Sequence, residues 1–220
     1  MRRILSISTT VQAAIHYKRG SLWSAFLWPL WHPYEIGEPG FVSPYVKIKH
    51  MVAILHNIRS LHNVGSIFRS ADGVGIDKIY LTGYTPSPLD KFGKSVTQFT
   101  KVSLGAEDFV AWEKAKDINP VIKKLKADGY SIIALEQSPR SIPYDSFRPR
   151  KTTPRRGHGA NQKLALLVGN EVRGLSAALL KKCDVIIEIP MRGRKESLNV
   201  SVAFGIASYE LTRQTPFGGR

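Results

Sequence analysis

The chain has 220 residues, of which 43% are hydrophobic and 22% charged, as in a globular protein of one domain with or without an extension. Its formal net charge of +15 points to a polyanionic partner, nucleic acid first, with a merely basic soluble protein as the alternative. The lone Cys183 excludes an internal disulfide framework and favours a reducing compartment, in which it reads as a buried structural thiol.

Residues 1–50 differ from the rest. No acid precedes Glu35, and the apolar run Leu22–Trp31 is broken by Pro29 and too short to span a bilayer. Met1, Arg2 and Arg3 resemble the start of a secretory signal, but no long apolar core or cleavage site follows. The basic, hydroxyl-rich first half has transit-like composition. Three readings stay open: a mobile extension, an RNA-contacting arm, or sequence upstream of a start at Met51. The expected division is 1–50 extension, 51–215 folded domain and 216–220 tail, and the expected location is the cytoplasm.

From Met51 the periodicity alternates between strand and helix. Met51–Leu55 reads as a short buried strand. Asn63 is placed to cap a helix whose apolar stripe is Val64, Ile67, Phe68 and Ala71, ended by Gly73 and Gly75. Lys78–Gly83 is the next strand, residues 84–105 read mostly as loop, and a helix is predicted over Ile118–Ala127. Ser131–Glu136 is a β-branched apolar strand of the kind a doubly covered parallel sheet needs. Pro139–Lys163 is a long basic stretch with Arg140, Arg148, Arg150, Lys151, Arg155 and Arg156 against Asp145. It reads either as a phosphate-contacting loop or as a solvated mobile one. Leu164–Gly169 and Val185–Pro190 are further strands, with a short helix near Ser176–Lys182 between them. Val200, Ala203, Phe204, Ala207 and Leu211 recur at helical spacing after a turn in which Asn199 can be an N-cap. The expected fold class is α/β, a mostly parallel sheet flanked by helices.

No zinc spacing, phosphate-binding loop or dinucleotide fingerprint occurs, so no metal is expected. Three polar turns instead adjoin buried strands. The first offers Asn57, Arg59, Asn63, Arg69 and Asp72. The second offers Gly169, Asn170, Glu171, Arg173 and Gly174, and the third Gly193, Ser197 and Asn199. Turns at the carboxyl ends of parallel strands are where α/β sheets bind ligands. Taken singly, each turn also reads as an ordinary connection.

The segments NIRSLHNVGSIFRSADGVG, LLVGNEVRGLS and IPMRGRKESLNVSVAFGIASYE together resemble the three motifs of the SpoU (TrmH-like) family of SPOUT-class RNA ribose 2′-O-methyltransferases. The resemblance implies a C-terminal deep trefoil knot, a homodimer with the active site at its interface, S-adenosyl-L-methionine as methyl donor, and tRNA or rRNA as substrate. Residue by residue it assigns Arg69, Asn63, Glu171, Ser197 and Asn199 to the catalytic cluster. It assigns Gly169, Ile189, Leu198, Leu135, Glu136 and Met191 to the methyl donor. Arg59 joins the basic-stretch residues as an RNA contact. The family casts Arg69 as a base; a guanidinium is hardly ever neutral in proteins, so holding the adjoining phosphate is the alternative. A non-catalytic RNA-binding or ribosome-assembly factor and a base methyltransferase are the competing functions.

Overall fold

The computed structural model describes residues 50–148 and 163–213. The expectations for residues 1–49 and 214–220, and those for Arg150, Lys151, Arg155 and Arg156, lie outside the described residues.

Seven strands form one sheet: β1 (Met51–His56), β2 (Lys78–Thr82), β3 (Ala111–Ala115), β4 (Tyr130–Leu135), β5 (Ile142–Pro143), β6 (Lys163–Val168) and β7 (Val185–Glu188). Their order is β3-β2-β1-β6-β4-β7-β5, and every pairing is parallel. Two late strands enter slots between strands laid down earlier. β6 lies between β1 and β4, and β7 lies between β4 and β5.

Six helices complete the described fold: α1 (Leu61–Val74), α2 (Thr97–Ser103), α3 (Ala106–Phe109), α4 (Ile118–Ala127), α5 (Ala177–Leu180) and α6 (Val200–Arg213). The central strands are apolar on both faces because both faces are covered. Met51, Ala53 and Leu55 of β1 and Leu164, Leu166 and Val168 of β6 share one core with α1, α2 and α6. The alternating residues Val52, Ile54, Ala165 and Leu167 share the other with α4 and α5. Strand period two thus sorts one continuous apolar run into two cores.

The sequence expectation needs correction in three places. Ser60, not Asn63, caps α1: its hydroxyl accepts from Asn63 N at 3.3 Å. Asn63 therefore lies inside the first turn, where its side-chain amide is free for other partners. Gly75, at φ 81, ends this helix, with Gly73 still within it. Residues 84–105, expected as loop, contain α2, whose buried Phe99 meets Phe68 of α1 edge to face at 5.2 Å between centroids. One buried phenylalanine in a two-turn helix leaves no stripe to read, so the helix is held by this tertiary contact. The third correction concerns the start of the basic stretch. Ile142 and Pro143 pair with Ile187 and Glu188 as edge strand β5, and Phe147 is buried. An edge strand is where a proline is tolerated in a sheet.

Phe68 is fully buried at the junction of α1, α2 and the sheet. Phe68→Ala is expected to cost about 3–5 kcal/mol of unfolding free energy, measured by urea denaturation of the full chain.

Candidate functional site

Because every strand is parallel, the segments after β1, β2, β4, β6 and β7 all leave from one edge of the sheet. Glu171 stands just past the end of β6. Its Oε2 accepts from Arg59 N at 2.9 Å and its Oε1 from Ser60 N at 3.0 Å and Asn63 Nδ2 at 3.0 Å. A carboxylate at the start of α1 also meets the positive end of the helix dipole. Asn63 Oδ1 in turn accepts from Asn199 Nδ2 at 3.0 Å. Asn199 Oδ1 accepts from Ser201 N at 2.9 Å, so the expected N-cap of α6 is present. One hydrogen-bonded chain, Glu171–Asn63–Asn199, therefore joins the three sequence motifs. Glu171 holds Asn63; among the described residues neither it nor Asn199 hydrogen-bonds Arg69.

Arg69 is exposed. From Asn63 it is about 240° around α1 and about 9 Å along it, so the two side chains leave the helix in different directions. Ser197 sits on the wall of the neighbouring cavity.

That cavity, of about 250 Å³, is lined by Leu135, Glu136, Gly169, Ile189, Met191 and Leu198 among others. All six residues assigned to the methyl donor therefore surround one hollow. Glycine is required twice in its wall. A Cβ on Gly169 would come within 2.7 Å of Leu175 Cδ2. Gly174 has φ +61, and a Cβ there would overlap the Glu136 carboxylate. Glu136 Oε2 accepts from Leu175 N at 2.7 Å, so its carboxylate closes the β6 turn while the residue lines the hollow. Gln137 Nε2 donates to Glu196 O at 2.6 Å, tying the third motif's loop to the end of β4.

Asn170 is a residue the sequence reading quoted without a role. Only 8% exposed, it donates through Nδ2 to Asn57 O at 2.9 Å and to Tyr84 OH at 2.8 Å. Its Oδ1 accepts from Val172 N and Arg173 N at 2.9 and 2.8 Å. Asn170 thereby shapes the turn that presents Glu171. Glu188 also lines the hollow, and Arg192, Arg194 and Lys195 are exposed on the segment between Met191 and Ser197; the run RGRK was the available signal for these basic residues.

Of the basic residues expected to meet RNA, Arg59 and Arg140 are exposed. Arg148 is exposed but its Nη1 donates to Asp145 O at 2.5 Å and Phe147 O at 2.9 Å, within its own loop. Cys183 behaves as a structural thiol: burial, then the adjacent Asp184 charge, pushes it up to about 11. Among the described residues no group of His, Cys, Asp and Glu is arranged to hold a metal ion. No helix among them is long and apolar enough to cross a membrane.

The sequence profile of the SpoU rRNA methylase family matches residues 50–209. The chain belongs to this family. A tRNA (guanosine(18)-2′-O)-methyltransferase of Borreliella burgdorferi is 36% identical over 110 residues, covering 50% of this chain and 45% of that protein. YacO of Bacillus subtilis, named as a TrmH-family tRNA/rRNA methyltransferase, is 30% identical over 150 residues, 68% of this chain and 53% of its own. The chain spans about half the length of these relatives. Among solved structures, the A. aeolicus TrmH/SpoU tRNA modifying enzyme is 30% identical with a TM-score of 0.61, covering 76% of this chain and 75% of that one. The AdoMet-bound rRNA methyltransferase of Sinorhizobium meliloti is 25% identical with a TM-score of 0.64, covering 77% of this chain and 58% of that one.

Burial raises the Glu171 pKa, but the hydrogen bonds from Arg59 N, Ser60 N and Asn63 outweigh it and hold the carboxyl below the ordinary glutamate value of 4.5. A depressed carboxyl contributes stability that is present above the unfolded value and lost as pH falls through the folded one. Hydrogen exchange of the Arg59 and Ser60 amides should therefore show protection at neutral pH that declines only below pH 4.5. In Glu171→Gln that protection should be reduced throughout, with no such acid step.

Proposed function

We propose that this chain transfers a methyl group from S-adenosyl-L-methionine to a ribose 2′-hydroxyl of tRNA or rRNA. The observation that carries the reading is the adjacency of the hollow and the Glu171–Asn63–Asn199 chain, with Glu171 and Ser197 both in its wall. The residues suit the donor. Backbone at Gly169, Ile189 and Leu198 can meet adenine polar edges while Leu135 and Met191 supply apolar walls. Glu136, Glu171 and Glu188 also line the hollow, and carboxylates favour a cationic ligand there although the chain as a whole is strongly basic. S-adenosylmethionine would supply a methyl carbon on a positively charged sulfur, already a good leaving group.

What remains for the protein is to hold the ribose oxygen in line behind that carbon and to manage its proton. Ser197 and the Asn63–Asn199 pair are the polar groups closest to that task within one chain. Arg69 serves as the charge that meets the adjoining phosphate and eases loss of the hydroxyl proton. The printed names of the relatives, a guanosine-18 2′-O-methyltransferase among them, support the ribose as acceptor. The interleaved strand order, with β6 and β7 inserted between earlier strands, supports a threaded, trefoil-knotted C-terminal part. The reading places the enzyme in the cytoplasm.

The same reading includes a homodimer. Val202, Ile206 and Tyr209 of α6 are exposed along a shallow apolar groove floored by Ser66, Ser70 and Gly205. Small residues beneath exposed apolar ones let two helix pairs approach closely. Arg69 is adjacent to Ser70 and three residues beyond Ser66, so it borders this face. A second copy seated there would bring each Arg69 toward the other chain's site, which accounts for its lack of partners among the described residues.

Mapping 2′-O-methyl positions across tRNA and rRNA, with and without the protein, tests the activity; an unchanged map, together with no S-adenosylmethionine binding by calorimetry, rejects it. Arg69→Ala is expected to lower turnover about 100-fold or more while leaving donor binding intact. Ile206→Asp is expected to convert the dimer to monomer in sedimentation velocity and to abolish methyl transfer.

A further inference from the structure

The loop that leaves β2 is firmly built. Thr85 is fully buried at its base. The Thr85 hydroxyl accepts from Ile58 N at 3.1 Å and donates to Leu55 O at 3.0 Å. Lys114 Nζ donates to Thr85 O. Tyr84 N donates to Asn57 Oδ1 at 3.3 Å, and the Tyr84 hydroxyl accepts from Asn170 Nδ2 at 2.8 Å. The base of this loop is therefore fastened to the ends of β1 and β6, beside the residue that presents Glu171.

Further out the loop folds on itself as a finger. Leu89 and Ser95 form an antiparallel bridge, and Asp90 N donates to Lys94 O at 2.8 Å. Asp90 Oδ1 accepts from Phe92 N at 2.8 Å and Lys94 N at 2.9 Å. The finger's carboxylate is thus used within the turn. What the tip offers outward is Lys91, Phe92 and Lys94. Phe92 is 75% exposed, and Lys91 Nζ lies 4.9 Å from its ring centroid.

An exposed phenylalanine alone needs no explanation. This one is held on a hydrogen-bonded turn, is flanked by two cations, and rises from the sheet edge that carries the candidate ribose site. A flat apolar ring between positive charges matches an unpaired nucleotide, whose base stacks and whose phosphates are anionic. A paired helix hides its base faces and would leave the ring without a partner.

We propose that the Leu89–Ser95 finger stacks an unpaired RNA base on Phe92 and meets the flanking phosphates with Lys91 and Lys94. The substrate presented to the site is then a loop, bulge or single strand rather than the body of a duplex. This rests on the RNA methyltransferase reading given above.

The test uses the full chain, a short single-stranded RNA carrying one 2-aminopurine, and the same strand annealed into a duplex. The native protein should bind the single strand more tightly than the duplex and alter the 2-aminopurine fluorescence by stacking. Phe92→Ala should weaken single-strand binding roughly ten-fold and lose the fluorescence change, as deletion of one stacking ring does. Phe92→Trp should retain both. Calorimetric S-adenosylmethionine affinity should be equal in all three proteins. Equal single-strand affinity in Phe92→Ala overturns the proposal, as does equal binding of strand and duplex by the native chain. A parallel loss of donor affinity in Phe92→Ala, or a Phe92-dependent attachment to anionic lipid vesicles in place of RNA, also counts against it. If the native chain methylates RNA while Phe92→Ala binds it normally, the finger fails and the methyltransferase stands. If the Phe92 pattern holds but no RNA is ever methylated, the finger stands and the enzymatic reading fails.

Discussion

The carboxylate of Glu171 is the tie on which the site depends. It accepts three hydrogen bonds from the segment 59–63, more than a hundred residues away in sequence. Without it, the Arg59 and Ser60 N–H groups leading into α1 would lose their acceptor, and the turn after β6 would be tied to that segment through Asn170 and Asn57 alone. With it, Asn63 is oriented, and Asn63 in turn orients Asn199 at the start of α6. Three segments distant in sequence are thus hydrogen-bonded into one edge. The interaction is local in space and charge-assisted, the stronger class of hydrogen bond.

Around this tie the electrostatics are divided. The chain carries a net charge of +15, yet the hollow next to Glu171 has Glu136 and Glu188 in its wall. Both carboxylates have structural partners, Leu175 N for Glu136 and the Ser141 hydroxyl for Glu188. Their negative charge remains in place for a cationic ligand, while Arg59, Arg140, Arg192, Arg194 and Lys195 stay exposed for a polyanion. A small cation and a large anion can then be held by one protein without competing for the same residues.

Arg69 shows why a list of motif residues is not yet a site. Its place in α1, off the buried stripe of Val64, Ile67, Phe68 and Ala71, follows from helical spacing. The same spacing turns it away from Asn63 and leaves it exposed, beside the groove lined by Ser66 and Ser70. Among the described residues it has no hydrogen-bond partner, which is why the proposed function includes a second copy at the α1–α6 face.

The sequence by itself determined the alternating α/β order, the strands β1, β2, β4, β6 and β7, the helix Ile118–Ala127 and, through the family resemblance, six of the residues that line the hollow. These were legible because buried strands and amphipathic helices leave periodic apolar patterns, and because the three motifs lie wholly within their own segments. The tertiary structure alone decided the rest. Strand β3, Ala111–Ala115, is mostly exposed and carries Glu113 and Lys114, so it exists by pairing with β2 and not by its own pattern. Helix α2 depends on Phe99 meeting Phe68, and the polar role of Asn63 depends on Ser60 taking the cap. Asn170 became a positioning group only when the ends of β1, β2 and β6 converged on it. Except for the Ser60 cap, a choice between two local candidates, the deciding partner is distant along the chain, and sequence periodicity carries no information about which distant backbone or side chain will be near.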